Sequence, residues 1–394
     1  MSPPPPPPPL PDELLEEVFF RLPPDEPEHL LCASLVSKVW LALLSDPRFH
    51  ARYRDFHGAP PMLGFLCSSR SISEDNDPYF FPTTKFRARI PDDDWEKFRY
   101  AAWDCRHGRV LLADDCFVPD SLVVWNPMTG CRRELDQPGH VGSIYAAAVL
   151  CAVAGCDHRA CHAGPFQVAF IGTTYDDGEC FARACVSVPM TMTTDRSKPC
   201  SHSGLDKWGE PCSPLHVGDY TPFWDEIAPV FLEDALYVNL MYQQDDHIEI
   251  LKYDLGSNCL SLIHAPLAGS IRHNAAILMA MEDGSLGFAH VDQVTLQLWS
   301  RHGDSDGIGS WTQRTIIHLN NHLPLQIPNK RHRLIGSLEG GDTIFVNTGL
   351  DNYELNLKTL RWKTIQKREK LYVLIPYMSF YNPQEKVITG DVAH

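Results

Sequence analysis

The chain has no long hydrophobic run. Nothing in it approaches the roughly 18 consecutive apolar residues of a membrane-spanning helix. It is also poor in positive charge, with 34 Lys and Arg against 50 Asp and Glu and a formal net charge of −16. Such a balance repels phosphate backbones and anionic lipid, so no nucleic-acid and no membrane partner is expected. The opening Met-Ser-(Pro)7 has neither the basic nor the apolar part of a secretory signal, and the expected location is the cytoplasm or nucleus. In those compartments the 13 cysteines, odd in number and scattered, read as reduced thiols. A P-loop, a His-Glu-x-x-His pair and a dinucleotide fingerprint are absent, so no catalytic residue and no cofactor is assigned. Helical periodicity is absent as well, except near the start.

What is present begins there. Residues 1–9 read as an extended, disordered polyproline leader. From Leu10 to Phe56 the apolar residues recur at helical spacing. Leu14, Leu15, Val18, Phe19 and Leu22 follow Pro11, Asp12 and Glu13, residue types that suit a helix N-terminus, and Pro23-Pro24 ends the run. Leu30, Leu31, Ala33, Leu35 and Val36 form a second set, and Val39, Trp40, Leu43 and Leu44 a third. Asp46-Pro47 opens a last helix carrying Phe49 and Tyr53. Fewer than about fifty residues cannot bury all this surface alone, which leaves two readings: packing on the rest of the chain, or a docking surface.

The order Leu10-Pro11, Leu14-Leu15, Val18, Leu22, Leu30, Val36-Ser37, Trp40, Leu43 and Phe49 resembles an F-box, the three-helix module that binds the Skp-type adaptor of cullin-based ubiquitin ligases. The wording RLPPDEP, ASLVSKVW and SDPRFHARYRDFH is similar to the plant F-box families in particular. The resemblance covers roughly an eighth of the chain and implies adaptor contacts from Leu10, Pro11, Leu14, Leu15, Val18, Leu22, Leu30, Val36 and Trp40.

After the apolar run Met62–Cys67 and a polar, loop-like stretch at 68–82, the texture changes from about Phe86 onward to short apolar runs separated by Gly, Asp and Asn turns. Four units share one internal order: an apolar strand, a turn, a second strand, then an outer hairpin. Their inner turns fall at His107-Gly108, Glu233-Asp234, Asp283-Gly284 and Gly340-Gly341, about 50 residues apart from Asp234 to Gly284 and about 57 from Gly284 to Gly341. The interval of about 126 residues from Gly108 to Asp234 leaves room for a further unit, placed at Phe166–Gly209 with its outer hairpin closing at Lys207-Trp208. Met62–Cys67 and Tyr372–Tyr381 are apolar and otherwise unpartnered, and together complete a sixth. Four strands per repeat mark a β-propeller over a β-sandwich, because closing the ring removes exposed sheet edges. The predicted architecture is α+β and multidomain: F-box at residues 10–57, then a six-bladed all-β propeller at 58–394. It resembles the F-box-associated, kelch-like propellers of plant proteins.

Several constellations hold residue types that could carry chemistry. Cys151, Cys156, His158, Cys161 and His162 are all zinc-ligand types, but no C-x2-C pair is matched to a second pair, and an inter-blade loop is expected instead. Cys200, His202, Cys212 and His216 read the same way, and no metal is assigned. Asp92-Asp93-Asp94 reads as a solvated turn. Tryptophans 125, 208, 299, 311 and 362 are expected to fill wedges between blades. The basic stretch Lys358–Lys370 is expected at a solvated outer edge, with an acidic partner if that face binds anything. The composite points to a substrate-receptor subunit of an SCF-type ligase, itself non-catalytic, reaching cullin through the adaptor and holding an unknown target protein on the propeller. The rivals are a propeller enzyme or small-ligand sensor whose F-box controls only its own turnover, and an adaptor-bound scaffold outside any ligase.

Overall fold

The computed structural model describes residues 11–67, 80–89, 100–114, 121–139, 143–156, 158, 161, 164–192, 208–218, 227–242, 247–267, 271–272, 275–302, 309–323, 332–367 and 371–380. Pro3–Pro9, Leu10, Asp92–Asp94, His162, Cys200 and His202 lie outside them.

Four helices open the chain: α1 (Asp12–Phe20), α2 (Glu28–Val36), α3 (Lys38–Leu44) and α4 (Pro47–His57). Four helices match the four apolar sets in the sequence, one more than the three-helix module the resemblance implies, and Ser37 divides the second from the third. Its backbone is extended (φ −155°, ψ 160°), and its hydroxyl caps α3 by accepting from the Trp40 amide at 3.2 Å. Asp46 caps α4 through the Arg48 amide at 2.8 Å, with Pro47 as the first helical residue. Gly58 ends α4 at φ +75°, a left-handed conformation open to glycine.

The inner side of the helices is aromatic. Phe49 stacks on Phe20 at 5.3 Å and on Tyr53 at 5.8 Å, and the Tyr53 hydroxyl donates to the Leu22 carbonyl at 2.9 Å. Tyr53 also meets Phe380 edge-on at 6.0 Å, tying α4 to the far end of the β-rich body. Each fully buried aromatic or aliphatic side chain here contributes about 1.5–3 kcal/mol.

Behind the helices the described strands form six antiparallel sheets, five of four strands and one of three. Blade 1 spans residues 100–136, blade 2 143–218, blade 3 230–264, blade 4 276–318 and blade 5 333–367. Blade 6 is assembled from both parts of the chain that flank the others, in the order Phe80–Pro82, Met62–Cys67, Leu374–Met378. The pairing of Met62–Cys67 with the C-terminal apolar run is the one the sequence implies. It closes the ring.

Each wedge between blades holds a shared core. Trp103, Leu111, Val149 and Phe170 join blades 1 and 2; Ile171, Ala148, Leu236 and Leu251 join blades 2 and 3. Ile250, Ile277, Phe288, Leu334 and Val346 run through blades 3, 4 and 5, and Phe65, Ile335, Phe345 and Leu374 join 5 to 6. The last wedge, between blades 6 and 1, is continuous with the helices: Leu15, Phe19, Phe20, Leu30 and Phe49 share one core with Leu63, Leu66, Trp125 and Tyr377.

Blade 2 departs from the sequence reading in two places. Its inner strand is Ser143–Cys151, an Ala-rich run with no alternation to mark it, and its outer strand is Leu215–Gly218 rather than the 207–208 region. Trp208 instead makes an isolated bridge to Ser187, while its indole N–H donates to the Asp136 carbonyl of blade 1 at 3.0 Å.

Candidate functional site

The helices have two apolar sides. On α1, Leu15 and Phe19, one turn apart, face the core, whereas Leu14 and Val18, also one turn apart, are 52% and 53% exposed. Both pairs belong to the periodic set in the sequence, where inward and outward positions look alike. Leu35 and Val36 at the end of α2 and Val39 on α3 continue the exposed set, at 70%, 65% and 59%. Scattered exposed apolar side chains need no explanation, but five large ones on three successive short helices exceed that scatter.

The nine residues assigned to adaptor contact therefore divide. Pro11, Leu14, Val18 and Val36 are exposed; Leu22 and Trp40 are half-buried, with Trp40 edge-on to Phe19 at 5.2 Å. Leu15 and Leu30 are buried in the chain's own core, which makes them supports for the face rather than part of it. Leu10 lies outside the described residues. Leu35, Val39 and, less so, Leu41 are exposed too but do not belong to the set the resemblance implies.

Among the described residues the inner strands surround an axial cavity of about 260 Å³, lined by Asp104–His107 of blade 1, Val230, Leu278, Ala280, Ser337, Glu339 and Ile375, with Ala59 and Pro60 of the helix-to-sheet connection at its edge. Its charged groups are satisfied. The Arg106 guanidinium pairs with Asp104, donates to Glu339 at 3.0 Å and reaches the Pro229 carbonyl, while Asp104 accepts from the Val149 amide at 2.8 Å. Burial pushes the Asp104 carboxyl up to about 6, with Arg106 opposing that shift. The network cross-links blades 1, 2 and 5 through hydrogen bonds and ion pairs among its own groups.

The Cys/His cluster is not inter-blade. Cys151 ends the inner strand of blade 2, and Cys156, His158 and Cys161 sit on the loop to its second strand, Phe166–Asp176. Cys151, Cys156, His158 and Cys161 come together there, with ligand atoms all within 4.8 Å of one another. Cys212 and His216 lie elsewhere on blade 2; Cys212 is buried and its sulfur accepts from the Ala184 amide.

Trp208 and Trp311 bridge blades as expected, the latter donating to the His264 carbonyl of blade 3 at 2.9 Å. Trp125 and Trp299 are buried, while Trp362 remains 42% exposed against Tyr353. In the basic stretch, Lys358 pairs with Glu282 at 2.5 Å and Asp342 at 3.5 Å, and Lys363 with Glu354 at 2.9 Å. Part of that positive charge is thus already answered within the chain.

Compared with protein families, residues 9–52 match the F-box domain. No curated protein matches the chain. Among solved structures, a luciferin-regenerating enzyme is 12% identical, with a TM-score of 0.34 over 70% of this chain and 74% of its own. A quinonprotein alcohol dehydrogenase-like protein from Bacteroides thetaiotaomicron is 9% identical (TM-score 0.32), covering 81% of this chain and 64% of its own. A post-proline cleaving enzyme from Rickettsia typhi is 10% identical (TM-score 0.29), covering 77% and 40%. Likenesses this distant carry no functional inference. An F-box domain followed by a six-bladed propeller fits a substrate receptor.

Proposed function

We infer that this chain is the substrate-receptor subunit of an SCF-type cullin ubiquitin ligase, docking a Skp-type adaptor through its helices and a target protein through its propeller. The observation that carries the reading is the split of α1 into a buried and an exposed apolar pair. Leu15 and Phe19 anchor the helix to blades 6 and 1, which leaves Leu14 and Val18, with Val36 on α2, free for a partner. An apolar face held on a rigid body pays little ordering entropy on binding.

The contribution to catalysis is proximity. Because α1 and α4 share one core with the ring, the adaptor-bound and target-bound ends are mechanically one piece. A held target then experiences a raised effective concentration of the ubiquitin-loaded enzyme, and the chain supplies no acid, base or nucleophile.

The test is co-purification of the full chain with a Skp adaptor and a cullin, beside a Leu14→Asp, Val36→Asp variant. Both positions are exposed, so the variant is expected to keep its melting temperature while losing adaptor and cullin together. Equal recovery of adaptor by the two proteins would refute the docking. Adaptor without cullin would instead favour a scaffold outside the ligase.

A further inference from the structure

The loop between the two inner strands of blade 2 has little apolar material to fold around. Val153 is exposed, and Gly155 and His158 both take left-handed backbone conformations (φ +65° and +59°) that turn the chain back on itself. The result is convergence of three free thiols and an imidazole, from Cys151, Cys156, Cys161 and His158, within 4.8 Å of one another. We propose that these four residues bind one zinc ion in a tetrahedral Cys3His site that fixes this loop. The site is independent of adaptor docking.

The dimensions fit. Zn–S bonds of about 2.3 Å at tetrahedral angles set neighbouring sulfurs about 3.8 Å apart, so the observed spread contracts to a closed site by roughly an ångström of side-chain movement. The donor set is selective: three thiolates and an imidazole favour zinc over magnesium or calcium, which take oxygen ligands. All four positions are filled by protein, as in structural rather than catalytic zinc sites.

Hydrogen-bond donors reach each of the three sulfurs. The Val153 amide points at the Cys151 sulfur and the His158 amide at the Cys156 sulfur, each at 3.4 Å and each from two residues further on. Backbone donors to sulfur spread the negative charge of a metal-bound thiolate. The Nδ1 of His107, on the inner turn of blade 1, lies 3.2 Å from the Cys161 sulfur and is placed to donate to it. Beneath the loop the buried Arg109 guanidinium donates to the Gly164 carbonyl at 2.7 Å and contacts the Cys161 carbonyl at 3.4 Å. Three thiolates around a divalent ion leave one net negative charge, which this cation partly answers.

The consequence is local order at the cavity mouth, which His107 and His158 both line. With zinc bound, His107 and Cys161 tie blade 1 to blade 2 at that rim.

The experiment uses the full chain, expressed without a histidine tag in zinc-supplemented medium. Metal content is read by inductively coupled plasma mass spectrometry, and the metal-stripped wild type is titrated with cobalt(II). About one zinc per chain is expected, with the intense visible bands of tetrahedral, thiolate-bound cobalt on titration. Cys156→Ser with Cys161→Ser should abolish both signals, while Cys259→Ser, at an exposed cysteine outside the cluster, keeps them. The wild-type measurements stand even if the double variant fails to fold. Wild-type protein with only background zinc and no tetrahedral cobalt bands would overturn the site, as would equal zinc in the folded double variant. A native disulfide among Cys151, Cys156 and Cys161, seen by mass spectrometry of the unreduced protein, would overturn it too.

Discussion

Leu14 and Leu15 are neighbours on one helix with opposite assignments, and truncating each in turn separates docking from folding. Leu15 is 6% exposed and packed in the core that runs from the helices into blades 6 and 1. Leu15→Ala should cost about 2–5 kcal/mol, the range for removing a buried leucine side chain. Because that core is shared with the ring, the loss lowers the melting temperature of the full chain. Leu14, at 52% exposed, should change stability by no more than about 0.5 kcal/mol when cut to alanine. Its loss should appear instead in adaptor affinity, by about 1–2 kcal/mol or roughly 5–30-fold in Kd. Differential scanning calorimetry and isothermal titration calorimetry on the two variants give both numbers. Comparable destabilisation by the two would show that Leu14 is packed, and unchanged affinity for Leu14→Ala would remove it from the interface.

Three further outcomes are expected. His50, buried on α4 beside Arg54, has its pKa lowered to about 4 by burial, then by Arg54, with Asp46 opposing. Between pH 6.5 and 4 the unfolded chain therefore binds a proton the folded chain does not. Stability present above pH 6.5 is lost as pH falls toward 4, by about 3 kcal/mol at most, and His50→Phe should flatten this slope in urea titrations across that range. Gly336, on the inner strand of blade 5, sits at φ +155°, where an added Cβ would drive into the Leu374 carbonyl oxygen of blade 6. Gly336→Ala should destabilise the ring by about 1–3 kcal/mol in chemical denaturation, and an unchanged midpoint would contradict the close approach. Tyr377 is fully buried between Phe80 and Phe86, at 5.6 and 5.8 Å, where blade 6 closes the ring. Tyr377→Ala should cost about 3–5 kcal/mol by the same measurement, and a cost under about 1 would argue against closure through this strand.

The repeating blades were legible because turn chemistry recurs where the backbone demands it. Left-handed residues do fall at the expected inner turns, His107, Gly108, Glu233, Asp234, Gly284 and Gly340 among them. The pairing of Met62–Cys67 with the C-terminal run was legible for a negative reason: both are apolar, and a ring needs each edge covered. The strand Ser143–Cys151 is not legible because SIYAAAVLC has no polar–apolar alternation to set it apart from a loop. On α1 the sequence gives the periodicity but not the division of its apolar residues, since which stripe faces inward depends on where the propeller lies. The linear spacing of the Cys/His cluster matches no paired zinc motif. That spacing says little once two left-handed residues fold the loop, and the convergence exists only in three dimensions.

Hydrogen–deuterium exchange on the full chain, with and without a purified Skp-type adaptor, addresses the docking face most directly. We expect a 1:1 complex in which protection rises across α1, α2 and α3 and stays unchanged through the blades. Protection confined to the propeller, or no complex at micromolar concentrations, would contradict adaptor docking through the exposed helical face.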